Sequence, residues 1–149
     1  RIETSSQKRK IIIFFKKINK LITKSKIKIC FELDMKPKNC KNFIDIFDKN
    51  NFGINYDIGN SASKGFNPKE EIILYGNRIL NVHIKDRNLK GPTVPLGKGN
   101  ADFDLVFEEL KKLRYKNYFT IQMSRSKKNL HIAEIKKTIK YLQKYFYKY

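Results

Sequence analysis

Four polar residues in the sequence have side chains that could together bind a divalent metal ion: Glu32, Asp57, His83 and Gln122. Each stands at or near the end of a short predicted strand. Two carboxylates, one imidazole and one amide oxygen suit an ion of the Mn, Co, Mg or Zn type. Alternatively, these side chains satisfy one another through hydrogen bonds, because a buried polar group is costly unless it is paired. Four such groups in equivalent places on consecutive strands favour the metal site.

The predicted strands that carry these groups cover residues 27–33, 52–56, 78–85 and 118–123, and each has one apolar and one polar face. Alternate side chains of a strand point to opposite faces of its sheet. The apolar face, which we expect to pack on helices, carries Ile29, Phe31, Leu33, Ile54, Tyr56, Leu80, Val82, Ile84, Phe119 and Ile121. The polar face carries Cys30, Glu32, Asn55, Asp57, Asn81, His83, Lys85, Thr120 and Gln122.

A helix is predicted after each of these strands, over residues 39–49, 67–75, 103–113 and 128–147. One more helix precedes the first strand at residues 11–21. Apolar residues recur at helical spacing in four of the five segments. The predicted buried stripes are Ile11, Phe14, Phe15, Ile18 and Leu21; Cys40, Phe43, Ile44 and Phe47; Phe103, Val106, Phe107, Leu110 and Leu113; and Ile132, Ile135, Ile139, Leu142 and Phe146. The second of the interstrand helices has capping signals instead, namely Asn67, Pro68 and Glu70 at its start and Gly76 at its end.

Alternating strands and helices predict an α/β fold with a parallel sheet and right-handed crossovers. Each unit is about 30 residues long, as in an eight-unit barrel of about 250 residues. We therefore expect residues 1–149 to be a single partial domain: half of a (β/α)8 TIM barrel, with four parallel strands alternating with helices plus one preceding helix. A small open α/β sheet is the structural alternative. In a barrel the polar face points inward, and the carboxyl ends of the strands form the mouth where ligands bind.

Composition narrows the choice of partners. The formal net charge is +19, but 27 of the 33 basic residues are Lys and only 6 are Arg, and they are spread along the chain. Since base reading relies on Arg, we expect no nucleic-acid partner. The apolar run 11–15 is too short to span a membrane, and a helix coating a barrel is favoured over one lying on a membrane surface. Cys30 and Cys40 form no CxxC pattern, so reduced thiols in a cytoplasmic protein are expected.

Five segments, FELDMKP, NYDIGNSASKGFNPKEEI, VHIKDR, VPLGKGNADF and FTIQMSR, resemble the sugar phosphate isomerase/epimerase group of the xylose-isomerase-like TIM barrel superfamily. The resemblance extends over residues 27–125. It implies that this chain is the C-terminal half of the barrel, and that the first four strands are not in this sequence. Since the sequence begins at Arg1 without an initiator Met, we expect it to be either processed or a fragment, and the organisation of the units favours a fragment.

The resemblance implies a role for each residue of the polar cluster. Glu32 matches the acidic metal ligand that also serves as a base, and Asp57 and His83 match the next two ligands. Gln122 falls where the ketose epimerases have a second glutamate. Glutamine can bind a metal through its amide oxygen but cannot take a proton, so isomerisation is less affected than two-base epimerisation. Asn60 stands where epimerases often have a histidine that contacts the substrate.

Several residues near the strand ends are candidates for binding a substrate, and in particular its phosphate. Lys85 and Arg87 flank Asp86, which could orient His83 or a water, although a salt bridge within the loop is equally consistent. Gly97 and Gly99 in the loop 95–102 would allow backbone amides to approach a phosphate, although a plain turn before a helix is equally consistent. Arg125, just past the last strand, is a further candidate.

The sequence therefore predicts a metal-dependent isomerase or epimerase acting on a sugar or sugar phosphate. The metal would stabilise an enediolate after Glu32 has moved a proton. The alternative is a non-catalytic half barrel that needs a partner chain or the missing half, and a homo-oligomer is one form of it. An abasic-site endonuclease is disfavoured, because such enzymes need many His ligands and only His83 and His131 are present.

Overall fold

A parallel sheet of four strands organises the chain in the computed structural model, which describes residues 4–126 and 129–146. Its strands are β1 (Ile29–Phe31), β2 (Phe52–Asp57), β3 (Ile79–Ile84) and β6 (Tyr118–Ile121), in the order β1-β2-β3-β6. All three pairings are parallel. In their register Asp57 lies opposite His83, and His83 lies opposite Thr120. The prediction of an α/β fold with four parallel strands alternating with helices is confirmed.

The helices of the described chain are α1 (Ser5–Ser25), α2 (Pro37–Ile44), α3 (Ile58–Lys64), α4 (Pro68–Tyr75), α5 (Phe103–Lys112) and α6 (His131–Phe146). A 3-10 turn, Gly76–Arg78, follows α4, so Gly76 ends that helix as predicted. The Asn67 side chain caps α4 by accepting from the backbone amides of Lys69 and Glu70. Between β3 and α5, the short antiparallel strands β4 (Asp86–Arg87) and β5 (Thr93–Val94) form a hairpin.

Aromatic packing fixes how α1 and α2 lie on the sheet. The Phe15 ring of α1 packs edge-on against Phe31 of β1 and Phe52 of β2, at centroid distances of 5.1 and 5.6 Å. Phe43 and Phe47 complete the cluster from the side of α2. The predicted buried stripe of α2 is confirmed, since Cys40, Phe43, Ile44 and Phe47 are all buried.

The aromatic cluster also corrects the predicted face of α1. The side chains of α1 that pack on the core are Ile11, Ile12, Phe15, Ile18 and Ile22. Phe14 and Leu21, which were predicted to be buried, are exposed.

The predicted buried face of α6 is wrong in the same way. Leu142 is buried, together with Thr138 and Tyr145, whereas Ile132, Ile135, Ile139 and Phe146 are exposed. The cause is aromatic stacking on α5, where the Tyr145 ring lies 4.4 Å from that of Phe107 and nearly parallel to it. This contact selects the tyrosine-bearing face of α6 instead of the isoleucine-bearing one. The predicted ends of this helix, 128 and 147, lie outside the described residues.

Other differences from the predictions concern element ends and the inner face of the sheet. Helix α2 ends at Ile44 instead of residue 49, and β1 has only three residues. Leu113 and Ile121, predicted to be buried, are exposed, as is Cys30 on the polar face. Within residues 4–126 and 129–146, no helix combines the length and the apolar character needed to cross a membrane.

The corrected face of α6 can be tested by two matched truncations. Leu142 is 1% exposed and Ile139 is 48% exposed. We expect Leu142→Ala to lower the free energy of unfolding by about 2–5 kcal/mol, the usual range for a truncated core leucine. Ile139→Ala should cost less than about 1 kcal/mol, as is usual for an exposed position. Denaturant unfolding measures both, and equal losses would contradict the described face.

Candidate metal centre

Three side chains from consecutive strands of the sheet meet at its carboxyl edge. Glu32 follows β1, Asp57 ends β2, and His83 lies in β3. One potential ligand atom from each lies within 4.8 Å of the other two. His83 Nδ1 is 3.5 Å from Glu32 Oε2 and 3.8 Å from Asp57 Oδ2. The structure therefore brings together three of the four residues that the sequence grouped.

Asp57 is the buried member of this cluster, with a side chain only 2% exposed. Its Oδ1 accepts the backbone N–H of Asn60 at 2.7 Å and so caps the N-terminus of α3. Its Oδ2 lies 3.2 Å from Lys85 Nζ, on the side that faces His83. The helix terminus and the ammonium group both favour a negative charge at this position.

Glu32 is the open member, with a side chain 43% exposed. Two amides hold its carboxylate: Asn60 Nδ2 donates to Oε1 at 2.9 Å, and Asn55 Nδ2 donates to Oε2 at 3.0 Å. The same Asn55 nitrogen lies 3.1 Å from both ring nitrogens of His83. Asn55 was not singled out from the sequence, although its place on the polar face two residues before Asp57 was the available signal.

The predicted substrate-binding residues Asn60, Lys85 and Arg87 also lie together beside Glu32 and Asp57. Asn60 Oδ1 accepts from Arg87 Nη1 at 2.9 Å and from Lys85 Nζ at 3.3 Å. Arg87 also donates through Nε and Nη2 to the Gly91 carbonyl at 3.1 and 2.8 Å. Two positive charges thus stand at the rim of the cluster.

Gln122 and Arg125 follow β6, the strand at the other edge of the sheet. The backbone N–H of Gln122 donates to the Ile84 carbonyl at 3.0 Å, which places Gln122 next to the end of β3. Its side chain is exposed, and its role as a ligand stays a prediction. Arg125 lines a groove of about 430 Å³ between the β4–β5 hairpin and α6, whose lining does not include Glu32, Asp57 or His83.

Asp86 has a different role from the one predicted. Its carboxylate is buried and accepts four backbone amides of the following loop: those of Gly97, Lys98 and Gly99 on Oδ2 and that of Ala101 on Oδ1. Among residues 4–126 and 129–146, its hydrogen-bond partners are these four amides, and neither His83 nor a cation pairs with it. The prediction that this loop binds a phosphate is therefore wrong, because the amides of Gly97 and Gly99 already donate to the Asp86 carboxylate.

Helix α3, which carries Asn60, was not predicted, because its residues Ile58–Lys64 show no apolar stripe. It is held from behind by Glu71 of α4, a buried carboxylate that accepts hydroxyl donors from Ser61 of α3, from Tyr56 at 3.0 Å and from Tyr75 at 2.7 Å. Burial raises the pKa of Glu71, and the three hydroxyl groups offset only part of that effect.

This raised pKa predicts how the stability of the protein depends on pH. The folded state binds the Glu71 proton more tightly than the unfolded chain does. The resulting stabilisation is complete below the ordinary glutamate pKa of about 4.3 and is lost as the pH rises through the folded-state pKa. We therefore expect Glu71→Gln, which stays uncharged, to lose less unfolding free energy than wild type between acidic and neutral pH.

Urea unfolding across this pH range makes the comparison, with Glu70→Gln as a control that should keep most of the wild-type pH dependence, because the Glu70 charge is a minor cause of the raised pKa of Glu71. Glu70 is the exposed neighbour of Glu71 on the same helix. An identical pH dependence in wild type and Glu71→Gln would show that the buried carboxyl does not titrate as described.

Comparison with known proteins places this geometry in a family. The profile of the xylose isomerase-like TIM barrel family matches residues 5–145. SgbU of Haemophilus influenzae, named as a candidate L-ribulose-5-phosphate 3-epimerase, is 36% identical over 91 residues, which are 56% of this chain and 32% of SgbU. The chain thus spans about a third of the length of this curated relative.

Solved structures show the same fold over nearly the whole chain. A xylose isomerase domain protein from Planctomyces limnophilus superposes with a TM-score of 0.81 at 18% identity, over 97% of this chain and 56% of that protein. A zinc-bound IolI protein superposes with a TM-score of 0.80 at 17% identity, over 100% of this chain and 59% of the other. The four-stranded unit thus matches somewhat more than half of each of these chains.

Proposed function

The chain belongs to the xylose isomerase-like TIM barrel family, and on that premise we propose that Glu32, Asp57 and His83 form the metal centre of a sugar isomerase or epimerase. The observation that carries this proposal is the meeting of three ligand groups, from three consecutive strands, within 4.8 Å. They meet at the edge of the sheet where barrels of this kind bind their ligands.

The donor set fits a divalent ion. Two carboxylates and an imidazole are suitable ligands for Mn, Co, Mg or Zn, and the amide oxygen of Gln122 would be the fourth ligand, from β6. The zinc-bound IolI neighbour supports a divalent ion of this kind. When bound, such an ion supplies Lewis-acid polarisation of a substrate carbonyl.

Glu32 is the group we propose to move the proton next to that carbonyl. It is the exposed carboxylate of the cluster, whereas Asp57 is buried and committed to Asn60 and Lys85. Gln122 cannot accept a proton, so Glu32 is the carboxylate of this cluster that remains available as a base. A single base that moves a proton on one face of the substrate is consistent with aldose–ketose isomerisation through an enediolate, which we favour over epimerisation by two opposed bases.

Replacing the base without removing a ligand atom tests this role. In the complete barrel, Glu32→Gln keeps an amide oxygen for the metal but cannot take a proton. We expect it to retain much of its metal and to lose turnover by roughly 100-fold or more, the usual size of general-base catalysis. Metal content and kcat are measured together, with the exposed Glu70→Gln as control. Wild-type turnover in Glu32→Gln would show that Glu32 is not the base that moves the proton.

The substrate is proposed to be a sugar or sugar phosphate, which is consistent with the name of SgbU. Asn60, Lys85 and Arg87 would contact it beside the metal, and Arg125 would contact its phosphate from the neighbouring groove. The net charge of +19 would attract an anionic substrate from solution.

The phosphate contact can be tested at Arg125 in the complete barrel. We expect Arg125→Gln to raise KM for a sugar phosphate about tenfold or more, the loss of one charge-assisted hydrogen bond, and to leave KM for the free sugar unchanged. Arg114→Gln, an exposed arginine just after α5, is the control. Equal wild-type activity on the free and the phosphorylated sugar would contradict a phosphate site.

A second candidate function is a half barrel that acts only together with another half. The observation in its favour is a group of exposed apolar side chains around β6 and α6: Tyr118, Ile121, Ile132, Ile135 and Ile139. We propose that residues 1–149 are the C-terminal half of a barrel, and that the open edges of the sheet pair with the other half or with a second copy. Size-exclusion chromatography of this chain tests the idea, because a clean soluble monomer would contradict it.

A further inference from the structure

We infer that two directional hydrogen-bond relays orient the Glu32 carboxylate, which makes Thr120, Asn81, Asn55 and Asn60 positioning residues of the centre. The first relay crosses the sheet from its far edge, and the second comes from the β4–β5 side. The hydrogen bonds of both relays are present in the structure and do not depend on the proposed function. Their effect on metal binding rests on the proposed function.

The first relay connects all four strands through side chains on the polar face. The Thr120 hydroxyl on β6 donates to Asn81 Oδ1 at 3.1 Å. Asn81 Nδ2 on β3 donates to Asn55 Oδ1 at 2.8 Å. Asn55 Nδ2 on β2 then donates to Glu32 Oε2 at 3.0 Å.

The charge of Glu32 fixes the direction of this relay. An ionised carboxylate only accepts hydrogen bonds, so Asn55 must present its amide nitrogen to it. The Asn55 oxygen then faces Asn81, which must in turn present its own nitrogen. The Asn81 oxygen is left for Thr120, whose hydroxyl can donate. Reversing either amide would place an oxygen against another acceptor.

The second relay is fixed by cations instead. Lys85 and Arg87 can only donate, so the oxygen of Asn60 must face them. Its nitrogen is thereby turned to Glu32 Oε1, to which it donates at 2.9 Å. Asn60 therefore links the positive charges of Lys85 and Arg87 to the Glu32 carboxylate, in addition to any contact it makes with a substrate.

Together the relays give each carboxylate oxygen of Glu32 one oriented amide donor. An ionised carboxylate has about four acceptor positions, so positions remain for a metal and for a proton. Successive hydrogen bonds polarise one another, which strengthens the last bond of each relay. Such outer partners orient metal ligands, and their loss commonly weakens metal binding about 10- to 100-fold. A half-exposed glutamate would otherwise move among several rotamers.

Thr120 is the best position for a test, because it is exposed and distant from Glu32 along the relay. Thr120→Val removes only the hydroxyl and keeps the β-branched shape that suits a strand. Thr120→Ser keeps the hydroxyl. The control is Thr23→Val, since the Thr23 hydroxyl also bonds an asparagine, Asn51, which precedes β2 at the opposite end of the sheet.

The side-chain amide resonances of Asn55 in the metal-free chain report the relay, and titration calorimetry with Mn²⁺ reports its effect. We expect Thr120→Val to shift the Asn55 amide resonances and to weaken Mn²⁺ binding about tenfold. Thr120→Ser should restore both, and Thr23→Val should change neither.

The two readouts separate failure of the relay from failure of the metal centre. An unshifted Asn55 amide in Thr120→Val overturns the relay, even if the chain binds Mn²⁺. A shifted amide with unchanged Mn²⁺ affinity overturns the positioning role. If Thr120→Val shifts the Asn55 amide resonances and the wild-type chain binds no Mn²⁺, the relay is supported and the proposed metal centre is contradicted.

Discussion

Two carboxylates within 4.8 Å of each other repel unless donors or cations face them, and the carboxyl edge of this sheet is arranged around that constraint. Lys85 and the N-terminus of α3 compensate Asp57, while two asparagine amides compensate Glu32. The negative charge of Glu32 is only partly compensated, because its carboxylate keeps open acceptor positions and its side chain is 43% exposed. A divalent cation placed between Glu32, Asp57 and His83 would complete the compensation.

Two other carboxylates in this chain are buried and hold neighbouring segments together. Asp86 is buried and accepts four backbone amides, so it organises the loop that follows the β4–β5 hairpin. Glu71 is buried and accepts three hydroxyl groups, so it ties α3 to α4 behind the centre. Neither has a half-exposed side chain available to a ligand. The contrast separates the acids that hold the structure from Glu32, which lies open.

The strand periodicity predicted that Glu32, Asp57 and His83 lie together, because parallel strands bring their carboxyl ends to one edge, whatever the loops between them do. It could not show that Asn55 bridges Glu32 and His83, since that depends on the register between β1, β2 and β3. The role of Asp86 depends on the path of a loop rich in glycine and proline. Such a loop lacks the hydrophobic periodicity from which helices and strands are predicted. On α6, two adjacent apolar stripes compete, and the aromatic contacts of Tyr141 and Tyr145 with α5 select one of them.

Divalent-metal binding at Asp57 tests the central claim most directly. The chain, shown to be folded by circular dichroism, is titrated with Mn²⁺ beside Asp57→Ala and a matched control, Asp102→Ala. Asp102 caps α5 just as Asp57 caps α3, by accepting a backbone amide, so the control loses a helix cap without touching the cluster. We predict one equivalent of Mn²⁺ in wild type and in Asp102→Ala, and none in Asp57→Ala. A folded wild-type chain that binds no Mn²⁺, or equal binding by Asp57→Ala, would contradict the metal centre.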